Sequence, residues 1–172
     1  MGIEKFEGLN IYAKYEKGER NSITDVAGVK VGHITLEGEG INTGVTAVLP
    51  CEGNIFKEKL FAGVWIVNGF GKSVGLLQIE ELGTLESPIV MTNTLSVGTA
   101  LTALVKYMLG KNPEIGVDTG TVNCVVTECN DGEMNDIRGL HVTEEHVFKA
   151  IRNASEDFAE GDVGAGRGME MM

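Results

Sequence analysis

Five short runs of the chain have the apolar patterns of β-strands. The run "VKVGHI" alternates, with Val29, Val31 and His33 on one face and polar or small residues between them, as in a strand whose two faces differ. The other runs are residues 43–50, 61–69, 87–93 and 121–129. Several of them are apolar at consecutive positions, which favours strands covered on both faces. The pattern predicts a layered α/β arrangement.

The run "LSVGTALTALVKYMLG", residues 95–110, has the period of an amphipathic helix. Its apolar positions recur at intervals of three and four residues, and they are Val97, Leu101, Leu104, Val105 and Met108. Gly110 and Pro113 come at the end of the run, where such residues commonly stop a helix. The segment therefore predicts a helix with one buried face.

A second helix is predicted to begin at Thr143. A threonine is a favoured N-cap, and Glu144 and Glu145 follow it in the first turn, where the helix dipole stabilises negative charge. The buried stripe of this helix is predicted to contain four apolar residues, Val147, Ile151, Ala154 and Phe158. Gly161 lies beyond its predicted end.

The composition fits one globular domain over residues 1–172, with 42% hydrophobic and 23% charged residues. The formal net charge of -11 disfavours nucleic acid, whose phosphates would be repelled. No run is apolar over the roughly 18 to 20 residues of a membrane helix, and the N-terminal "MGIEKFEGLN" lacks the pattern of a leader peptide. We therefore expect a soluble, cytoplasmic protein that binds neither nucleic acid nor membranes.

The cysteines do not form a recognisable redox or zinc pattern. Cys51, Cys124 and Cys129 are odd in number and contain no CxxC spacing. We expect them to be buried, unreactive thiols.

Two glycine-rich motifs are only superficially like nucleotide-binding loops. In "GFGKSVG", residues 69–75, the first glycine of a phosphate-binding loop would fall on Ile66, so the loop of backbone amides is incomplete. The later "VGAGRG" reads GxGxG and is not followed by a helix pattern. Both are therefore interpreted as turns, and no nucleotide or other cofactor is predicted.

Metal sites are also disfavoured by spacing. A calcium loop that began at Asp131 would need glycine at position 136 and glutamate at position 142, and the chain has Asp136 and Val142. The histidines share no helical face, and they are His33, His141 and His146. We interpret them as structural residues and predict no metal.

The polar turn after the last predicted strand is the strongest candidate for a site. The apolar run "VNCVV" leads to Thr127, Glu128 and Asn130, just beyond a carboxyl end of a strand, where α/β proteins commonly place binding groups. From the residues alone, a binding site and a hydrogen-bonded turn both remain open.

Six motifs in order carry a family resemblance. They are "NSITDVAGVKVGH", "TGVTAVLP", "VNGFG", "PIVMTNTLSVG", "NDGEMNDIRGLHVTEEHVFKAI" and "GDVGAGRGM", within residues 21–169. In order and spacing they resemble the N-terminal, α-subunit portion of the DmpA-type L-aminopeptidase/D-esterase family, which includes β-aminopeptidases.

The resemblance implies an αββα sandwich, in which two sheets lie between helix layers, as in N-terminal-nucleophile hydrolases and the ornithine acetyltransferases. It implies a precursor that cuts itself before a serine or threonine, which then attacks the substrate with its own amine as base. It also implies removal of N-terminal residues from small peptides, amides or esters, no metal or other cofactor, and an oligomer of paired chains.

Two departures from the family limit this inference. The chain stops at Met172, before the nucleophile and the oxyanion-binding asparagine, so the sandwich is expected to be incomplete, no catalytic residue is assigned, and the isolated chain is expected to be inactive. Its partner is expected to be the C-terminal segment of the same precursor. The family's tyrosine is also absent near the Asp-Gly of the polar turn, and Asn130 occupies its place.

By this resemblance the polar turn lines the active-site cleft. We predict Glu128, Asn130 and Asp131 as substrate-binding residues, with Glu128 the candidate partner of the substrate amino group. Asp131 and Asn135 are equally compatible with holding the turn. Two other functions stay open: a truncated, catalytically silent module that binds a partner or oligomerises, and an N-acyltransferase of the same architecture.

Overall fold

A computed structural model of the chain describes residues 16–169. Residues 1–15 and 170–172 lie outside the described part, and so does the N-terminal stretch in which no leader-peptide pattern was recognised. The helices and strands are β1 (Lys30–Gly38), β2 (Ile41–Leu49), β3 (Leu60–Phe61), α1 (Leu76–Leu82), β4 (Thr84–Leu85), β5 (Ile89–Asn93), α2 (Val97–Lys111), β6 (Val125–Cys129) and α3 (Glu144–Arg152). Short 3-10 turns include Thr94–Ser96 and Gly164–Gly166.

The main sheet has four strands in the order β1-β2-β5-β6. β1 pairs with β2 and β2 pairs with β5 in antiparallel fashion, whereas β5 and β6 are parallel. Because parallel strands run in the same direction, the carboxyl ends of β5 and β6 meet at one edge. Asn93 is therefore the register partner of Cys129, and Thr92 is the partner of Glu128.

Helices α2 and α3 cover one face of this sheet. The core between sheet and helices contains side chains with little or no exposure, among them Val45, Ala47, Val90, Leu104, Met108, Val126 and Val147. Gly32 allows α3 to approach β1, since a Cβ at this position would lie 2.1 Å from the Ala150 carbonyl oxygen. The opposite face carries the 3-10 turn Gly164–Gly166 instead of α2 or α3.

Four of the five predicted strands are confirmed, and the run at 61–69 is wrong. Only Leu60–Phe61 forms strand structure there, as a two-residue pairing with Thr84–Leu85. Trp65, Val67 and Phe70 are strongly exposed, because no neighbouring strand of the described chain pairs with this run. β-propensity alone does not make a strand without such a partner. The pattern also missed α1, which lies between Gly75 and Gly83, both at positive φ.

Both predicted helices are confirmed, but the second is shorter than expected. Thr143 caps α3 as predicted, and Val147 and Ile151 are buried. The helix ends at Arg152, so Ala154 and Phe158 do not continue its stripe. The cause is a tertiary pairing, because the amide of Ser155 donates to the carbonyl of Val31 at 3.0 Å and the amide of Val31 donates back at 2.9 Å.

The fold of the described residues is therefore a mixed sheet with helices on one face. This is one sheet and one helix layer of the sandwich expected from the sequence. None of the helices in residues 16–169 combines the length with the hydropathy that a membrane span needs.

Candidate functional site

Residues 158–169, which we call the strap, run across the face of the sheet opposite α2 and α3. They and the sheet line an open cavity of about 420 Å³. Its apolar lining comes from Val31, Val48 and Met91 on the sheet and from Phe158, Val163 and Met169 on the strap. Glu128 also lines this cavity.

His33 fastens the strap to the sheet. Its Nε2 lies 3.0 Å from the carbonyl oxygen of Ala159, and its Nδ1 lies 2.8 Å from the hydroxyl of Thr46. A carbonyl can only accept, so the ring proton lies on Nε2 and the Thr46 hydroxyl donates to Nδ1. Thr46 in turn accepts the amide of Ala165 at 3.0 Å. Burial lowers the pKa of His33, and the hydrogen bond to Ala159 opposes this shift.

Gly164 is the point of closest approach between strap and sheet. Its backbone has a φ of +57°, and a Cβ there would lie 2.5 Å from both His33 Nδ1 and Thr46 Oγ1. Its amide donates to the hydroxyl of Thr35 at 2.8 Å. Glycine is the residue type that fits both the conformation and the space.

Glu128 lies at the carboxyl end of β6 and is half-buried. Its Oε1 accepts the backbone amide of Lys72 at 2.9 Å, and its Oε2 accepts the hydroxyl of Thr94. The ion pairs among residues 16–169 involve other carboxylates. The carboxylate of Glu128 is thus oriented by two uncharged donors.

Asn130 and Asp131 belong to the turn and do not line the cavity. The exposed Asn130 accepts the amide of Gly132 at 2.9 Å, which closes an Asx turn. Asp131 is buried, with a relative exposure of 1%, and its Oδ1 accepts the side-chain amide of Asn135 at 3.1 Å. Its Oδ2 has no hydrogen-bond partner among the described residues. A role for either residue in substrate binding stays a prediction.

The turn is attached to the β1–β2 hairpin. The side chain of Asn135 accepts the amide of Asn42 at 3.1 Å, and the side chain of Asn42 donates to the carbonyl of Met134 at 2.9 Å. The amide of Asp136 donates to the carbonyl of Gly40 at 2.7 Å. These contacts support the expectation that Asn135 holds the turn, and they fix the segment that follows Glu128.

His141 and His146 lie apart from this arrangement. Of the three cysteines, which we expected to be buried, only Cys124 is; Cys51 is half-buried, and Cys129 is half-buried and lines the cavity. His141 pairs with Asp136, and His146 caps α3 through Thr143. Burial raises the pKa of Cys124 to about 12, and Glu86 adds to the shift, so this thiol is a poor nucleophile. Within residues 16–169, no group of three or more His, Cys, Asp and Glu side chains is placed to hold a metal ion.

Sequence reasoning singled out Glu128, whose role in binding stays a prediction, and it missed the groups that bond its carboxylate. Thr94 follows β5 in "MTNTLSVG", and Lys72 was considered only as a phosphate-loop lysine. The available signal was topological, because adjacent parallel strands bring the residues after β5 and β6 together. The contact from Lys72 is made by the backbone, and no side-chain pattern indicates it.

The sequence pattern of Peptidase family S58 matches residues 21–172. The chain belongs to peptidase family S58. It is similar to the β-peptidyl aminopeptidase BapA of Sphingosinicella microcystinivorans, with 40% identity over 163 residues, which are 89% of this chain and 40% of that protein. The resemblance to the DmpA-type family seen in the sequence is thus confirmed.

Two solved structures extend the likeness of this S58 chain to the fold. The PH0078 protein from Pyrococcus horikoshii is 57% identical with a TM-score of 0.88, over 91% of this chain and 47% of that chain. The L-aminopeptidase D-Ala-esterase/amidase from Ochrobactrum anthropi is 34% identical with a TM-score of 0.80, over 88% of this chain and 45% of that chain, and is described as a variant of the Ntn-hydrolase fold. The predicted fold class is therefore confirmed. The chain spans less than half the length of each of these relatives.

Proposed function

We propose that this chain is the N-terminal portion of an aminopeptidase that hydrolyses N-terminal residues from small peptides, amides or esters. Membership of peptidase family S58 and the similarity to a β-peptidyl aminopeptidase support the reaction class. The observation that carries the proposal is the environment of the Glu128 carboxylate, which accepts the amide of Lys72 and the hydroxyl of Thr94. None of the ion pairs among residues 16–169 involves it. Such a carboxylate is suited to bind the ammonium group of a free N-terminus.

The partner in this proposal is the C-terminal segment of the same precursor. It would supply the nucleophilic serine or threonine and the oxyanion-binding asparagine that the family resemblance implies. Two observations support it: the chain spans 40% of a curated relative, and neither α2 nor α3 packs on the sheet face that carries Met91 and Val48, which the strap crosses. That face would meet the second sheet of the sandwich.

Three further expectations belong to the proposal. A homo-oligomer is supported by exposed apolar side chains, among them Phe61, Trp65, Val67, Phe70 and Leu77. A cytoplasmic location is supported by three free cysteines. The absence of a nucleic-acid partner is supported by the net charge of -11.

The test is hydrolysis of β-alanyl and L-alanyl p-nitroanilide by the full-length precursor, that is, this chain with the C-terminal segment that its relatives carry. We expect the intact mass to show two chains, the second starting with serine or threonine, and we expect amidase activity only when both are present. The substitution Glu128→Gln should raise KM strongly. The matched control is Glu133→Gln, an exposed carboxylate of the same turn, which should behave like the wild type.

Three outcomes would overturn the proposal or its parts. A full-length protein that stays uncleaved and inactive would refute the aminopeptidase assignment. Acyl transfer to an added amine in preference to water would favour an acyltransferase of this architecture. An unchanged KM in the Glu128→Gln variant would remove Glu128 from substrate binding.

A further inference from the structure

Two loops hold the carboxylate of Glu128 from different directions. The loop before α1 contributes the amide of Lys72 to Oε1, and the turn after β5 contributes the hydroxyl of Thr94 to Oε2. A carboxylate only accepts hydrogen bonds, so the Thr94 hydroxyl is the donor. Each carboxylate oxygen therefore has one fixed neutral donor, and the plane of the carboxylate is defined.

The turn that carries Thr94 rests on a buried support. Thr94 begins the 3-10 turn Thr94–Ser96, and the side chain of Asn93 accepts the amide of Ser96 at 3.0 Å. The other end of that side chain donates to the hydroxyl of Thr43 at 3.0 Å. Asn93 has a relative exposure of 1%. Because hydrogen bonds at both ends of this buried side chain link the turn to β2, Thr94 is held in place relative to the sheet.

The side chain of Lys72, whose amide bonds Glu128, forms no ion pair with it. The ammonium of Lys72 lies 3.4 Å from the centre of the Phe70 ring and donates to the carbonyl of Phe70. The backbone amide of Lys72 thus donates to Glu128, while the ammonium group of Lys72 packs on the aromatic ring of Phe70. Among residues 16–169 no ion pair involves this carboxylate, and its remaining acceptor positions can receive the N–H groups of an incoming ammonium.

We propose that Thr94 is a positioning residue that aims Glu128 at the ammonium group of the substrate. This inference rests on the proposed aminopeptidase function and adds to it the side chain that sets the orientation of the amine-binding carboxylate. Thr94 itself does not touch the substrate in this assignment. It acts through Glu128 by fixing the Oε2 atom.

The experiment uses the full-length precursor and compares Thr94→Val, Thr94→Ser and a control. Valine keeps the shape of threonine and removes the donor, whereas serine keeps the donor. The control is Thr102→Val on α2, whose hydroxyl donates only to the carbonyl of Gly98 one turn earlier. For β-alanyl p-nitroanilide, we expect Thr94→Val to raise KM roughly tenfold with little change in kcat, because a hydrogen bond to a charged group is lost.

A second readout separates positioning from a general structural effect. Propionyl p-nitroanilide lacks the amino group of the β-alanyl substrate, so the ratio of kcat/KM between the two reports recognition of the ammonium. The ratio of kcat/KM for the β-alanyl substrate to kcat/KM for the propionyl substrate should fall in Thr94→Val. It should stay close to the wild-type ratio in Thr94→Ser and in Thr102→Val. If Thr94→Val does not fold, Thr94→Ala replaces it, and the comparison with Thr94→Ser decides.

The outcomes distinguish this inference from the function on which it rests. If Glu128→Gln raises KM and the Thr94 variant lacking a hydroxyl keeps both the wild-type KM and the wild-type ratio, the positioning role is wrong and the aminopeptidase function stands. An inactive full-length protein, or an unaffected Glu128→Gln variant, refutes the proposed function or its amine site instead. Equal losses in the serine and valine variants also refute the role of the hydroxyl.

Discussion

The ring of His33 and the hydroxyl of Thr46 are joined by a hydrogen bond of 2.8 Å across the β1–β2 pair. Each of the two residues also bonds the strap, His33 through the carbonyl of Ala159 and Thr46 through the amide of Ala165. The pair therefore connects two strands of the sheet to the segment that leads to the C-terminus.

Replacing Thr46 by valine should loosen the strap. Valine has a similar volume but neither donates to His33 nor accepts the amide of Ala165, which would be left without its partner. An unsatisfied buried amide costs roughly 1–3 kcal/mol of unfolding free energy. Hydrogen exchange should show faster exchange at Ala165, and urea unfolding should give the loss. Thr102→Val is the matched control, and equal exchange rates at Ala165 in both variants would contradict the assignment.

The free energy of unfolding should decrease as the pH falls, at pH values above those at which the carboxylates titrate. Burial lowers the pKa of His33 and that of His146 below the ordinary value of 6.5, so the folded state favours the neutral rings. Stability is then fully present above the unfolded pKa and is lost as the pH falls through the lowered folded pKa. Urea unfolding at about pH 7.5 and at about pH 5.5 should show the decrease.

Two variants divide this pH dependence between the histidines. His33→Asn offers a donor and an acceptor that do not titrate, and His146→Gln does the same at the start of α3. In each variant, the free energy of unfolding should decrease less between the two pH values than it does in the wild type. Curves that stay parallel to the wild type in both variants would show that other groups are responsible.

Gly32→Ala should destabilise the contact between β1 and α3. The new methyl group would lie 2.1 Å from the carbonyl oxygen of Ala150, so the helix must move, at a cost of about 1–3 kcal/mol or more. Gly98→Ala in α2 is the control, because nothing lies within 4 Å of its Cβ. That substitution should stabilise by roughly 0.5–1 kcal/mol. Thermal unfolding of both variants checks the opposite signs.

Glu86→Gln should destabilise more than the loss of a surface ion pair. Glu86 is buried, pairs with Lys59, and accepts the amide of Asn123 at 2.6 Å. Losing hydrogen bonds to this charged group should cost roughly 2 kcal/mol of unfolding free energy. Lys106→Gln, which breaks the exposed pair with Glu144, should cost less than about 1 kcal/mol. Similar losses in urea unfolding would refute the distinction.

Local sequence patterns predicted those strands and helices in which the pattern of the residues matches their burial in the fold. The alternation around His33 predicts β1, and Thr143 predicts the start of α3, and the structure confirms both. In each case the residues that form the element also provide its buried side chains. The run at Trp65 failed because a strand needs a neighbour, and sequence spacing does not show one. The end of α3 was misplaced because the bridge between Ser155 and Val31 is a long-range contact.

The candidate site was predictable only in part for a related reason. Glu128 follows an apolar strand, which is visible in the sequence. Its partners come from positions 34 and 56 residues away in the chain, and only the order of the strands brings them together. The inward burial of Asp131 was likewise invisible, since a polar turn residue is ordinarily exposed.

The amide of Lys72 is one of the two donors to Glu128, and every amino acid except proline carries such an amide. Alanine scanning would therefore leave this contact in place and report position 72 as unimportant for the carboxylate. Only a change to the backbone, such as a proline or an ester linkage at this position, would expose the contribution. For the same reason, relatives could differ freely in the side chain here and still orient their glutamate in the same way.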